Sequence, residues 1–275
     1  MFDECKRRYY FNYYGSWGGW SFTADRRTRE LYILKQLQTG PMLLGDSVHR
    51  VLENYLNELR KKRDLPLSSI VRQFRGFMTH SHDESLSGMY RENPKKYCGL
   101  LEHEYEQEVD IDSFIMAGEK CIKNFYFSDV LKEIKESDVN HWLPIEELQS
   151  FDLDGTTIYV KIDFATNGDK TIIYDWKTGK SSVDELQLAC YALYAMNKWN
   201  VKLPVITRNY NLRTNVLTES EVDDVDWVNE KIKQSISDMK ALLFNPETNT
   251  AREEDFPKNE GRRCEYCKFR KLCLE

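Results

Sequence analysis

The chain has 275 residues, 31% of them charged and 41% hydrophobic, and 39 basic against 45 acidic side chains give a formal net charge of −6. That length can bury a sizeable core as one large domain or one domain with an insertion, and the composition excludes a disordered polymer. The acidic balance argues against a protein that coats nucleic acid indiscriminately. Basic clusters such as Lys6-Arg7-Arg8 and Arg60-Lys61-Lys62-Arg63 still leave room for one local groove.

No apolar run approaches the roughly 20 residues needed to cross a bilayer. Met1-Phe2-Asp3-Glu4-Cys5 lacks the regions of a signal peptide, so a cytoplasmic location is expected, where cysteines bind metal more readily than they pair as disulfides. The first element is an aromatic run, Tyr9, Tyr10, Phe11, Tyr13, Tyr14, Trp17 and Trp20, suited either to stacking bases or to packing around a metal site. Residues 45–62 then read as an amphipathic helix, with Val48, Val51, Leu52, Tyr55, Leu56 and Leu59 at three- and four-residue spacing, Gly45 before it and Asp46 or Ser47 as cap. His49 borders that stripe, either as a packing residue or as a neutral imidazole ligand. About 60–142 reads as a polar helical insertion broken at Asn93-Pro94, with His80-Ser81-His82-Asp83-Glu84 as a solvated loop.

From about 143 the period changes to two. A strand carries Glu146, with Glu147 as the alternative if the register slips. The next strand, Thr157–Ala165, puts Tyr159, Lys161 and Asp163 on one face, and Asn167-Gly168-Asp169 signals a hairpin into Thr171–Lys177. Asp163 and Asp175 are equidistant from residue 169, so the hairpin sets them opposite each other, about 5 Å apart at Cβ if they share a face. Two carboxylates so placed repel unless a hard divalent cation sits between them, and Lys177 on the same face could orient water or balance charge on a phosphate. A helix over 183–199, with Leu186, Ala189, Cys190, Leu193 and Tyr194 buried, turns Gln187 and Tyr191 to one side, either toward this site or merely along the core boundary. A strand over Pro204–Leu212 and a helix over about 225–243 complete a β-β-β-α-β order, an α/β sheet flanked by helices.

The tail holds Cys264, Cys267 and Cys273 at C-x2-C-x5-C spacing, with Cys5 at the opposite end; four thiolates suit either zinc or an iron–sulfur cluster. Cys98, Cys121 and Cys190 have no partner at useful spacing and are expected to be packing residues.

The ordered set Gly45-x3-His49, Glu146, Asp163, Asp175-Trp176-Lys177-Thr178-Gly179-Lys180 and Gln187-x3-Tyr191 resembles the PD-(D/E)XK nuclease superfamily and, more narrowly, its RecB-like branch. With the cysteines it is similar to the iron–sulfur members of that branch, the AddB nuclease domain and the CRISPR-associated Cas-four exonucleases. One departure is Val160, where the family often has glycine.

The resemblance implies a restriction-endonuclease-like mixed central sheet flanked by helices, in a single nuclease domain over 1–275. The cysteine region would comprise 256–275 with Cys5. It implies Mg2+ or Mn2+ held by Asp163 and Asp175 with His49, Glu146 and the carbonyl of Trp176 in support. Lys177, Gln187 and Tyr191 would act beside the metal, and Cys5, Cys264, Cys267 and Cys273 would hold a [4Fe–4S] cluster. It also implies DNA, single-stranded or with ends, as substrate, exonucleolytic action, and a helicase or CRISPR-adaptation protein as partner. The rival readings are a catalytically idle nucleic-acid-binding subunit and a zinc-stabilised interaction protein.

Overall fold

A computed structural model describes residues 1–179 and 184–274, so Lys180 lies outside the described residues. The chain divides into two compact units: Met1–Gly40, His80–Val109 and Gln234–Glu275 form one, Pro41–Thr79 and Asp110–Lys233 the other.

The unit of Pro41–Thr79 and Asp110–Lys233 carries the sheets. Hairpin β1 (Leu148–Leu153) and β2 (Thr156–Lys161) is joined at Asp154-Gly155, both with positive φ, the Asp-Gly turn that matches strand twist. A separate sheet runs in the order β3 (Phe164–Asn167), β4 (Thr171–Lys177), β5 (Val205–Asn211), β6 (Val216–Val222). β3 and β4 pair antiparallel with Phe164 opposite Tyr174, the register expected from the Asn167-Gly168-Asp169 turn. β4 and β5 are parallel, as a crossover through a helix requires. Mixed strands flanked by helices make this a restriction-endonuclease-like α/β fold.

Several elements differ from the sequence reading. The strand expected over Thr157–Ala165 is broken at Ile162-Asp163, because β2 joins one sheet and β3 the other. Glu146 sits at a bend with φ of 54°, outside any strand, though its N–H donates to the Ile162 carbonyl at 3.0 Å. β6 was not expected: its side chains are almost all exposed, so this edge strand carries no alternating pattern.

Among the helices of this unit, α3 (Gly40–Arg60) begins before the expected cap, so Gly45, Asp46 and Ser47 lie inside it; Pro41 fits its first turn, where an N–H has no partner anyway. Its apolar stripe is as expected, with Val48, Val51, Leu52, Tyr55 and Leu56 all buried. α6 (Ile111–Tyr126) and α7 (Asp129–Glu136) are capped by Asp110 and Ser128. Gly118 lets α6 approach the buried Phe74 of α4 (Leu67–Ser87): an added Cβ would lie 2.0 Å from the Phe74 ring. α8 (Glu185–Trp199), capped by Asp184, is buried on more than the expected stripe, since Leu188, Tyr191, Ala192 and Ala195 are also covered.

In the other unit, α1 (Lys6–Tyr10) continues as a π-helical turn over Phe11–Gly15, and α2 (Arg26–Gln36) starts at an Asp25 cap. A core of Phe11, Leu31, Ile33, Leu34, Leu37, Tyr90, Leu101 and Phe269 also packs Cys267 and Cys273. α5 (Leu101–Glu104) and α10 (Arg270–Cys273) are single turns, and α9 (Asp226–Lys240) crosses the boundary between the units. His80 to Glu84 lie within α4, not in a solvated loop, and the His82 ring packs 5.2 Å from that of His103. Cys121 is fully buried, consistent with a packing role.

Candidate metal centre

The C-terminal end of β4, the start of β3, α3 and α8 enclose a cavity of about 690 Å³. Its lining includes His49, Glu146, Lys161, Asp163, Asp175, Trp176, Lys177, Thr178, Gly179, Gln187 and Tyr191. Carboxyl ends of parallel strands are the usual place for a site in an open α/β sheet. Gly45 keeps the wall open, since a Cβ there would meet Thr178 Oγ1 at 3.2 Å.

Three side chains form the tightest group. His49 Nδ1 lies 2.8 Å from Glu146 Oε1 and 3.0 Å from Asp163 Oδ1. Among the described residues, these three offer the one group of metal-ligand atoms all within 4.8 Å of one another. Asp163 Oδ2 also accepts the Trp176 N–H at 2.5 Å, which ties the carboxylate to the backbone of β4.

Burial pushes the Asp163 carboxyl up to about 7, against the opposing pull of His49. Burial also acts on Glu146, but His49, Asp163 and the Lys161 ammonium paired with its Oε2 bring it down to about 2. Burial lowers the His49 imidazole, yet the two carboxylates outweigh it and hold its pKa well above the ordinary value. Without a cation the trio therefore keeps a proton between its members. A donor set of one imidazole nitrogen and carboxylate oxygens suits a hard divalent ion such as Mg2+ or Mn2+.

Asp175 stands outside that trio. Its Oδ2 accepts from Lys177 Nζ at 2.8 Å and from Asn209 Nδ2 at 2.9 Å, and its Oδ1 faces the Tyr191 hydroxyl at 3.4 Å. Burial raises its pKa, with Lys177 opposing. Lys177 Nζ also donates to Gln187 Oε1 at 2.8 Å, and Gln187 Nε2 donates to Tyr191 at 2.6 Å. Lys177, Gln187 and Tyr191 thus form a closed hydrogen-bonded loop on one carboxylate. Glu146 is buried and faces the cavity, whereas Glu147 is exposed.

Residue-level matches of this kind agree with a comparison over the whole chain: the sequence model of the PD-(D/E)XK nuclease superfamily matches residues 1–274. The chain belongs to the PD-(D/E)XK nuclease superfamily. No curated protein matches it. A solved structure described as "Crystal structure of SSO0001" shares 17% identity with a TM-score of 0.30, covering 62% of this chain and 77% of that one. Nucleases of this superfamily act on nucleic acid with divalent metals, and the trio here could bind one. Among the described residues no helix is long and apolar enough to cross a membrane.

Two residues of this PD-(D/E)XK site went unassigned in the sequence. Lys161 carried a usable signal, two residues before Asp163 in the alternation. Asn209 carried none, because it meets Asp175 only through the parallel register of β4 and β5.

In the other unit Cys5, Cys264, Cys267 and Cys273 line a single small cavity of about 30 Å³ together with Arg8, Lys258 and Arg270. Burial raises the thiol pKa values of Cys267 and Cys273, while Arg8 acts against this at Cys267 and Lys258 at Cys273. The chain termini meet here: the Arg7 N–H donates to the Pro257 carbonyl at 3.1 Å and Asn259 donates to the Glu4 carbonyl at 2.8 Å.

Proposed function

We propose that the chain is a Mg2+- or Mn2+-dependent deoxyribonuclease of the RecB-like branch, hydrolysing phosphodiester bonds from DNA ends, with a [4Fe–4S] cluster on its four terminal cysteines. The observation that carries this reading is the close approach of His49, Glu146 and Asp163 in a cavity shared with Asp175 and Lys177. Those three and Asp175, with the Trp176 carbonyl, would hold the metal. When bound, a divalent ion supplies Lewis acidity and a water of lowered pKa.

This chain's residues supply the rest. Lys177, fixed between Asp175 and Gln187, places a positive charge where negative charge develops on the phosphate. Gln187 and Tyr191 hold Lys177 and Asp175 in orientation. Lys161 balances Glu146 and keeps it ionised.

For the cysteines, four thiolates at the meeting of the two termini favour a metal over unliganded thiols. Four thiolates suit zinc as well, and the likeness of the C-x2-C-x5-C tail with Cys5 to the iron–sulfur members of the branch is what favours the cluster. Ligation from Cys5 to Cys273 would close a loop of nearly the whole chain.

The reading is tested with anaerobically purified protein on end-labelled single- and double-stranded DNA with Mg2+ and Mn2+. Cleavage in the wild type, abolished in folded Asp175→Ala and Lys177→Ala, is expected. Retained cleavage in those variants would refute the assignment, and its absence from the wild type would favour the idle binding subunit.

A further inference from the structure

The aromatic run near the N-terminus divides into two populations. Tyr9, Tyr10 and Tyr14 surround Phe256, with ring centroids 6.3, 5.3 and 5.9 Å away, and Phe11 is fully buried against Phe269. Phe11, Phe256 and Phe269 are core, and the three tyrosines pack on them half-buried. Tyr13, Trp17, Trp20 and Phe22 instead keep 50%, 72%, 49% and 107% of their surface exposed. So much exposed apolar surface in the short stretch from Tyr13 to Phe22 marks an interaction site more often than chance exposure.

The loop is also held in shape. Gly18 has φ of +82°, and a Cβ on Gly19 would fall 2.3 Å from Tyr32 Cβ and 2.6 Å from the Thr28 carbonyl. Arg29 donates to the Gly19 carbonyl at 3.0 Å. Trp17 and Trp20 meet edge to face at 5.0 Å, and Trp20 rests on the buried Tyr32 at 6.0 Å. Trp17 and Trp20 are presented in a fixed arrangement, so little ordering is lost when something stacks on them.

Charge indicates what that is. Lys35 Nζ lies 5.7 Å from the Tyr13 ring and Lys95 Nζ lies 5.9 Å from the Trp20 ring. Among the described residues neither ammonium is in an ion pair. Burial lowers the Lys35 pKa and the charge of Lys95 lowers it further, so the two cations repel across the aromatic surface. An anion between them would relieve that repulsion.

We propose that this surface is a binding platform for single-stranded nucleic acid, with bases stacked on Trp17, Trp20 and Phe22 and the backbone phosphates met by Lys35 and Lys95. Flat faces beside unneutralised lysines fit unpaired bases on a phosphate chain; in a duplex those faces are already stacked. The inference rests on the nucleic-acid substrate of the proposed function but uses none of the metal-site residues.

The test is binding of a short labelled oligo(dT) to the full chain in EDTA, read by anisotropy and by quenching of tryptophan fluorescence. Quenching on binding is expected, with affinity falling about tenfold for Trp17→Ala and again for Trp20→Ala, from the usual worth of a base–aromatic stack. Trp17→Phe and Trp20→Phe should keep most of the binding, which separates lost stacking from lost folding. Lys35→Ala with Lys95→Ala should flatten the salt dependence. Wild-type affinity in the folded alanine variants, or equal affinity for a blunt duplex, would overturn the proposal. So would a dimer that dissociates in the alanine variants while oligo(dT) affinity stays unchanged, since the patch would then be covered by a second copy. Oligo(dT) binding by a wild type that never cleaves DNA with Mn2+ would instead defeat the nuclease reading and leave the platform standing.

Discussion

Asp163 has two tasks, and a pair of substitutions separates them. Its Oδ1 faces the part-buried His49 at 3.0 Å and its Oδ2 accepts the buried Trp176 N–H at 2.5 Å. Asp163→Ala removes the ligand and leaves a buried backbone N–H without an acceptor, which costs about 1–3 kcal/mol. Asp163→Asn removes the charge but retains an amide oxygen for Trp176. Because burial sets the Asp163 carboxyl at about 7, the comparison belongs at pH 6, where little of the difference reflects relief of a buried charge. At about 2–4 °C per kcal/mol, a loss of about 2 kcal/mol in Asp163→Ala lowers the melting midpoint by roughly 4–8 °C. Asp163→Asn should stay within about 2 °C of the wild type. Both should lose DNA cleavage. Thermal melts by circular dichroism with parallel cleavage assays read the outcome, and equal stability of the two variants would refute the structural half of the reasoning.

In EDTA the protein should lose stability as pH rises from about 6 to 9. Asp163 is raised by burial and His49 by its carboxylates, so each binds its proton more tightly folded than unfolded; the His49 contribution is full below the ordinary histidine range and fades as pH climbs through its elevated value. Glu146, depressed to about 2, contributes above the usual carboxylate range and is lost only on acidification, so a rising profile between pH 6 and 9 would contradict the assignment. Cys264→Ala should lower folded yield, abolish the brown colour of the anaerobic protein and weaken cleavage indirectly; unchanged melting after loss of the colour would exclude a structural cluster. Gly118→Ala should destabilise by about 1–3 kcal/mol by forcing apart α6 and Phe74, seen as a lower urea midpoint.

Local signals were the readable ones. The Asn167-Gly168-Asp169 turn fixes the β3–β4 register from Phe164 opposite Tyr174 onward, because the turn and both strands are contiguous, while Asp163 lies just before β3. The α3 stripe and the Gln187–Tyr191 pair are likewise set by helical spacing. What escaped was non-local or unpatterned. A two-residue period runs without interruption through Lys161-Ile162-Asp163, yet the chain there passes from one sheet to another, a choice made by distant partners. β6 offered no alternation, since both its faces are wet. The partner of His49 could not be ranked from sequence, whereas the fold joins it to Glu146 and Asp163 and leaves Asp175 to Lys177, Asn209 and Tyr191.

The most direct measurement is Mn2+ binding followed by the loss of the free-ion electron paramagnetic resonance signal, in the wild type and in Asp163→Asn, with cleavage of end-labelled DNA assayed on the same samples. Wild-type protein should capture Mn2+ and cleave, and the variant should do neither while remaining folded. Cleavage that survives EDTA, or a folded variant that binds Mn2+ and cuts DNA as the wild type does, would contradict a metal centre built on His49, Glu146 and Asp163.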